Sequence, residues 1–199
     1  IKSIDYNLTH SSKKTQSINV PNALIDISSM YVNKNGSSIN ILKPRFIYGY
    51  TAYRNQENNP IFDSNEISPN NELFINDRFS GMDRIGDQSF YTLSIDYTHM
   101  KMGMKKASLS ISKKYYLKDR KVWMNPSMNS MNQMDMDEGP AVIMASWMPS
   151  MKTMIMGYGG YLKDQKKMPL GGITLKHELK SGNIGYAHRF RRTAGDFYI

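Results

Sequence analysis

The sequence predicts an all-β protein: an antiparallel up-and-down meander of about nine strands, a partial slice of a large transmembrane β-barrel. Apolar and polar residues alternate with a period of two along most of the chain, and no helical period competes with it. Connections between the alternating segments are short and long by turns. The short ones lie near 34–38, 101–105, 149–151 and 180–183, the long ones near 11–16, 55–87, 121–139 and 163–169. Membrane barrels have this asymmetry, with tight turns at one rim and longer loops at the other. A soluble sandwich has no reason to sort its loops by parity. Aromatic residues also gather on the apolar faces near strand ends (Tyr31, Tyr48, Tyr50, Tyr91, Tyr97, Tyr115), where an interfacial girdle belongs.

The first strand is read from Ile4, Tyr6 and Leu8 alternating with Asp5, Asn7 and Thr9, and Ser11-Ser12-Lys13-Lys14 breaks it. A second runs from Ser17 to about Tyr31, with Pro21 near its start, where a missing ladder donor is tolerated. Asn33-Lys34-Asn35-Gly36 signals a hairpin, because Asn-Gly supplies positive φ. The third strand, Ile39 to Arg54, sets Leu42, Pro44, Phe46, Tyr48 and Tyr50 against Lys43, Arg45, Gly49 and Thr51. Gln88 to His99 is the cleanest, with Tyr91, Leu93, Ile95 and Tyr97 opposite Thr92, Ser94, Asp96 and Thr98. In the fifth strand Ala107, Leu109, Ile111, Tyr115 and Leu117 oppose Ser108, Ser110, Ser112, Lys114 and Tyr116. Lys113 falls on the apolar side, where its stem can snorkel or a bulge can remove it.

Residues 121–139 read as a polar, Met-rich loop. Ala141–Met148 and Lys152–Leu162 read as a hairpin of poor alternation, and Lys163–Pro169 as a basic loop. Ile173, Leu175 and Leu179 then alternate with Thr174, Lys176 and Glu178; after the turn Ser181-Gly182, Ile184, Tyr186, His188 and Phe190 share a face. Phe197–Ile199 read as the start of a further strand. A polar face this wide cannot close into a small filled barrel, so a slice of a larger one is expected.

The stretch from Asn55 to Asp87 interrupts the alternation with an unusually long polar loop, and such loops usually have a function. It carries Arg78, Asp83, Arg84 and Asp87 around Phe79-Ser80-Gly81. Lys43-Pro44-Arg45-Phe46-x-Tyr48-x-Tyr50, Tyr53-Arg54-x-Gln56, Pro60-x-Phe62-Asp63, Leu73-Phe74 and Arg78-Phe79-Ser80-Gly81-x-Asp83-Arg84-Ile85-Gly86-Asp87 resemble the barrel domain of the LptD family, the outer-membrane lipopolysaccharide-assembly proteins. Tyr115-Tyr116-x-x-Asp119-Arg120-x-Val122 continues the likeness, which is detailed from about Val20 to Val122. Lys43 stands where the family usually has an acid.

Composition sets outer bounds. No apolar run of about eighteen residues exists, which excludes a spanning helix. A mean hydropathy of −0.54 does not exclude a barrel, whose alternating strands hide their apolar side from an average. The chain begins at Ile1 without a basic or apolar leader, so an export signal is expected to have been removed or to lie outside this stretch. Cysteine is absent, so neither disulfides nor thiolate metal sites form here. A net charge of +9 suits either a solvated basic surface or an anionic partner. The 16 Met, many in the run Met124–Asp137, read as flexible gap-filling. His10, His99, His177 and His188 lack metal spacing, and no nucleophile elbow, zinc-protease motif or phosphate loop occurs. No catalytic residue, metal or cofactor is expected.

The resemblance implies transport of lipopolysaccharide through a barrel lumen into the outer leaflet of the outer membrane, without catalysis. It also implies an LptE-like lipoprotein plug, periplasmic lipopolysaccharide-bridge proteins and outer-membrane lipid as partners, and no nucleic acid. Lys43 and Arg45, on the inward side of the third strand, are the candidate lipopolysaccharide contacts; simple lumen lining is the other reading. Arg78, Ser80, Gly81, Asp83, Arg84 and Asp87 form a candidate structural motif whose charges tie the loop down. Its arginines could instead grip phosphates. A generic porin or solute transporter remains the alternative function, and a soluble polysaccharide- or nucleic-acid-binding sandwich a more distant one.

Overall fold

A computed structural model describes residues 1–7, 15–57, 59–67, 69–124, 138–162 and 167–191. Among the described residues it is all-β apart from one turn of helix. The strands are β1 (Lys2–Asn7), β2 (Thr15–Val20), β3 (Asn22–Ser28), β4 (Tyr31–Asn35), β5 (Ser38–Thr51), β6 (Asn65–Glu66), β7 (Phe79–Ser80), β8 (Gln88–Lys101), β9 (Met104–Tyr116), β10 (Glu138–Ser150), β11 (Thr153–Leu162), β12 (Lys167–Leu179) and β13 (Gly182–Arg191), with α1 at Pro69–Glu72. Nine of them make one open antiparallel sheet in the order β13-β12-β11-β10-β9-β8-β5-β3, with β4 also on β5. The expected meander is therefore present, as an unclosed slice.

Several expectations need correction. The segment read as one strand from Ser17 to Tyr31 is three. β2 pairs with β1 in a separate two-stranded ladder, while β3 and β4 both lie on β5. The break at Ser29–Met30 falls opposite Pro44, which has no N–H to give the ladder; the Ser29 N–H still reaches the Pro44 carbonyl at 3.2 Å. The basic loop ends earlier than expected, since β12 starts at Lys167 and pairs it with Leu162. The long loop contains α1 and the small β6–β7 ladder. The expectations for Leu8 to Lys14 (His10 included), for Asn125 to Asp137, for Lys163 to Lys166 and for Phe197–Ile199 lie outside the described residues. The turns follow local chemistry: Gly36 has φ 56°, and Met102-Gly103 turn at φ 52° and 74°.

The chain divides into two compact units. One comprises Ile1–Asp26, Ile47–Tyr91 and Tyr115–Asp137, the other Ile27–Phe46, Thr92–Lys114 and Glu138–Ile199. The first holds two small apolar cores. Ile4, Ile18, Val20 and Ile85 form one, with Ala52 against it, and Ile47, Phe90 and Tyr116 form the other, with Phe74 against it.

In the second unit, β8 and β9 have their burial reversed. On β8, Leu93 and Ile95 are 49 and 43 % exposed while Thr92 and Ser94, which alternate with them, are 0 and 7 % exposed. On β9, Leu109 and Ile111 are exposed while Ser112 and Lys114 are buried, and Lys113 is half-buried in phase with the apolar row. Ser112 donates to the Ser94 hydroxyl at 2.9 Å, so the covered polar side satisfies itself across strands. The apolar row continues through Ile143 and Trp147 on β10, Ile173 and Leu175 on β12, and Ile184, Tyr186 and Phe190 on β13, all exposed. Register puts Trp147 beside Ile155, Ile155 beside Leu175 and Leu175 beside Tyr186. An apolar surface this continuous exceeds what a water-soluble monomer ordinarily shows.

Charge placed mid-strand on that surface tests its surroundings. Ile95→Arg in the full-length protein, refolded into lipid vesicles, is expected to cost about 2–4 kcal/mol in denaturant unfolding. A cost under about 0.5 kcal/mol, typical of a water-facing position, would contradict a lipid-facing row.

Candidate functional site: a hydrogen-bonded loop and the polar side of β5

The loop from Gln56 to Asp87 is held by side chains that pair mainly with backbone. Gln56 is buried, and its amide spans Ile85, donating to the carbonyl at 2.7 Å and accepting the N–H at 3.0 Å. Asp83 accepts from the Phe62 N–H, from the Asp63 N–H at 2.8 Å and from the Ser64 hydroxyl. Burial by itself would raise its pKa; the hydrogen bonds from Ser64, Phe62 and Asp63 outweigh that and hold the carboxyl below its ordinary value. Asp63 returns the exchange by accepting the Met82 N–H at 3.2 Å.

Gly81 makes this crossing possible. It sits at φ 83°, and a Cβ there would lie 2.7 Å from the Asp63 carbonyl oxygen. Ser80 donates to the Asn65 carbonyl at 3.2 Å, beside the β6–β7 pairing.

The two arginines work on the following segment. Arg84 donates to the Trp123 carbonyl at 3.1 and 2.6 Å and to the Gln56 carbonyl at 2.5 Å. Arg78 is 6 % exposed. It donates to the Val122 carbonyl at 2.9 Å and to the Asp87 carbonyl at 3.3 Å, and its Nη1 lies 3.6 Å from the Asp87 carboxylate. Its guanidinium also lies over the Phe79 and Trp123 rings, 5.1 and 5.2 Å from their centroids. Burial lowers its pKa, and Arg120 nearby adds to the effect, while Tyr116, Asp87 and Glu72 oppose it. Asp87 accepts the Lys121 N–H on both oxygens at 3.0 Å and the Val122 N–H at 2.8 Å. Gly86 lets Arg78 pass, since an added Cβ would meet the Arg78 Cβ at 2.8 Å. These guanidinium groups point at protein carbonyls.

Beneath the loop the sheet is dry. Ile47, Gly49 and Thr51 of β5 share the inward side with Phe90 of β8 and Tyr116 of β9, and all five are buried. Gly49 is required by Phe90, whose ring would come within 2.2 Å of a Cβ there. Tyr116 donates to the Glu72 carboxylate. Asn76 is a further tie: it donates to the carbonyls of Ala23 and Tyr50 at 3.0 and 3.1 Å and accepts from Thr51 and Gln88 at 3.0 and 3.3 Å. Lys2 reaches its backbone carbonyl at 2.8 Å and pairs with Asp77. The roles of Gln56, Asn76, Phe90 and the Trp123 carbonyl escaped the sequence reading. The alternation did place Phe90 in phase with Thr92, which was the available signal.

Lys43 and Arg45 lie on another part of β5. Lys43 is exposed and Arg45 half-buried, in phase with Ile47 and Gly49 and out of phase with exposed Leu42, Phe46 and Tyr50. Both belong to the second compact unit, whereas the Arg78–Asp87 motif belongs to the first. Among the described residues no cluster of His, Cys, Asp and Glu could hold a metal ion.

Residues 3–193 match the family model of LptD, described as LPS transport system D. The chain belongs to the LptD family. Relatives named LPS-assembly protein LptD agree: that of Acinetobacter baylyi is 29 % identical over 139 residues, 69 % of this chain. The one from Pseudomonas aeruginosa is 42 % identical over 83 residues, 41 % of the chain, and the one from Xanthomonas oryzae pv. oryzae 27 % identical over 196 residues, 92 % of the chain. These alignments cover 17, 9 and 24 % of the respective relatives, so the chain spans a quarter of their length or less. The open antiparallel sheet described above is the architecture expected of a slice of a β-barrel wall.

Two changes probe the loop. Gly49→Ala forces Phe90 aside and is expected to cost about 1–3 kcal/mol in the unfolding of the full-length protein; an unchanged midpoint would remove Phe90 as the reason for that glycine. Because the folded pKa of Asp83 is depressed, its contribution is fully present above its unfolded value near 4 and is lost as pH falls through the lower folded value. Protease nicking between Pro60 and Arg84 should therefore stay low at neutral pH and rise only below about pH 4. Asp83→Asn should raise it at pH 7, by about tenfold for each 1.4 kcal/mol of lost anchoring. Equal nicking in both proteins would show that the carboxylate does not anchor the loop.

Proposed function

We propose that this chain is part of the wall of an outer-membrane β-barrel that assembles lipopolysaccharide, with the apolar side of the sheet against lipid and the polar side toward the lumen. The reversed burial of β8 and β9 carries the reading, because exposed Leu93, Ile95, Leu109 and Ile111 flank covered Ser94 and Ser112. Membership of a family described as an LPS transport system supplies the substrate. Transport needs no catalytic step here; the barrel provides a polar route for saccharide and phosphate while acyl chains remain in the membrane.

Lys43 and Arg45 contact lipopolysaccharide from the polar side, their charge suited to its phosphates. Arg78, Ser80, Gly81, Asp83, Arg84 and Asp87 act as scaffold, since their polar atoms are engaged by the loop and the Lys121–Trp123 segment. An LptE-like lipoprotein filling the lumen and periplasmic lipopolysaccharide-bridge proteins complete the machine, which sits in the outer membrane.

A photo-crosslinking residue at Lys43 or Arg45 in the full-length protein in living cells is expected to yield lipopolysaccharide adducts. If other positions on the polar side yield adducts and these two do not, Lys43 and Arg45 are lumen lining only. If no polar-side position yields them and the purified barrel conducts ions instead, a solute pore replaces the assembly role.

A further inference from the structure

The same side of the second unit carries a basin at the short-turn ends of β10–β13. Its volume is about 400 Å³, and Met148, Lys152, Met154, Lys176, Glu178 and Asn183 are among its lining. Strand register builds it. Met154 lies opposite Lys176, Lys176 opposite Gly185, and Glu178 opposite Asn183. Gly185 leaves the floor beside Lys176 open, for an added Cβ would meet nothing nearer than the Leu175 carbonyl at 3.9 Å. The β10–β11 ladder shifts register between Trp147 and Ser150, which bends the hairpin end. The turn is tied across to β12 by the Glu178 N–H, which donates to the Lys152 carbonyl at 2.8 Å.

The lining is amphipathic in a specific way. Flexible thioethers form an adaptable apolar floor. Lys152 and Lys176 bring two ammonium groups, Asn183 brings an amide, and Glu178 offsets one of the positive charges. All four polar residues are exposed. A neutral amphiphile has no use for the ammonium groups, and a free inorganic anion has no use for the methionines.

We propose that this basin binds the phosphorylated end of an anionic lipid on the polar side of the sheet. The inference rests on the reading that this side faces the lumen, and it adds a station at the rim with the short turns, which is the periplasmic rim in membrane barrels. Lys152 and Lys176 take the phosphate as point charges, and Met148 and Met154 take the adjoining apolar part. Glu178 keeps the hold weak enough for release, the balance any conducting site requires.

The test uses the full-length protein with a photo-crosslinker at Asn183 and, separately, at Arg45. The probes are vesicles holding lipopolysaccharide, and vesicles holding phosphatidylglycerol without it. Asn183 should give a lipid adduct whose mass tells which lipid it is; either one supports the phosphorylated-lipid chemistry. The adduct should fall at least fivefold in Lys152→Glu/Lys176→Glu, persist in Lys152→Arg/Lys176→Arg, and rise in Glu178→Gln, with the Arg45 adduct unchanged throughout. Folding of each variant is followed by its heat-dependent gel mobility. Absence of an Asn183 lipid adduct, an adduct only to protein, or indifference to charge reversal overturns the station. Absence of lipid adducts from both Arg45 and Asn183 in the unsubstituted protein instead overturns the lumenal reading on which it rests.

Discussion

A strand places successive side chains on opposite sides, and β8 and β9 spend that period putting leucine and isoleucine outward and serine, threonine and lysine inward. Everything else in the molecule answers to that. Each of these half-exposed Leu and Ile side chains would gain up to about 1.5 kcal/mol by leaving water altogether, so hydrocarbon against the row across β8–β13 would stabilise it. The backbone raises no objection, because each ladder satisfies its own N–H and C=O groups. The polar side meanwhile pairs within itself, as at Ser94–Ser112 and Ser108–Ser146, the latter 2.7 Å apart. Tyr91 and Tyr115, on neighbouring strands, stack with centroids 4.9 Å apart.

The long loop solves a different problem. Ordering its backbone costs about 1–2 kcal/mol per residue, and it has few strand ladders to offset that. Instead its acids accept backbone N–H groups and its arginines and amides donate to backbone carbonyls. Asp83 serves Phe62–Ser64, Asp87 serves Lys121 and Val122, and Arg84 joins Gln56 to Trp123. Large apolar residues then seal the underside, where Leu73, Phe79 and Phe90 are almost wholly covered. Removing one member of the Arg78–Asp87 pair would strand a buried charge, which is why the two charges depend on each other.

The fold class was legible because it rests on local periodicity. Leu93, Ile95 and Tyr97 against Thr92, Ser94 and Asp96 needs no partner to be read, and neither does the turn at Gly36. Strand boundaries were less legible where pairing set them: the break at Ser29–Met30 is imposed by Pro44 on a neighbouring strand, and β1 pairs with β2 alone. The loop motif could be seen as a patterned set of charges, but charge pattern suggests ion pairs, and most of these groups went to backbone atoms. Every residue carries the same N–H and C=O, so no residue type announces that Trp123 will offer its carbonyl to Arg84.

The sequence by itself therefore determined which side of each strand is greasy, where the tight turns fall, and which family the chain resembles, since all three are written in residue type and spacing. Only the tertiary structure decided which backbone groups the charged loop would hold, why Gly49 must yield to Phe90, and that Met154, Lys176 and Gly185 meet in one row. Those outcomes depend on strand register and loop path, and a shift of one residue in either would have brought different neighbours together.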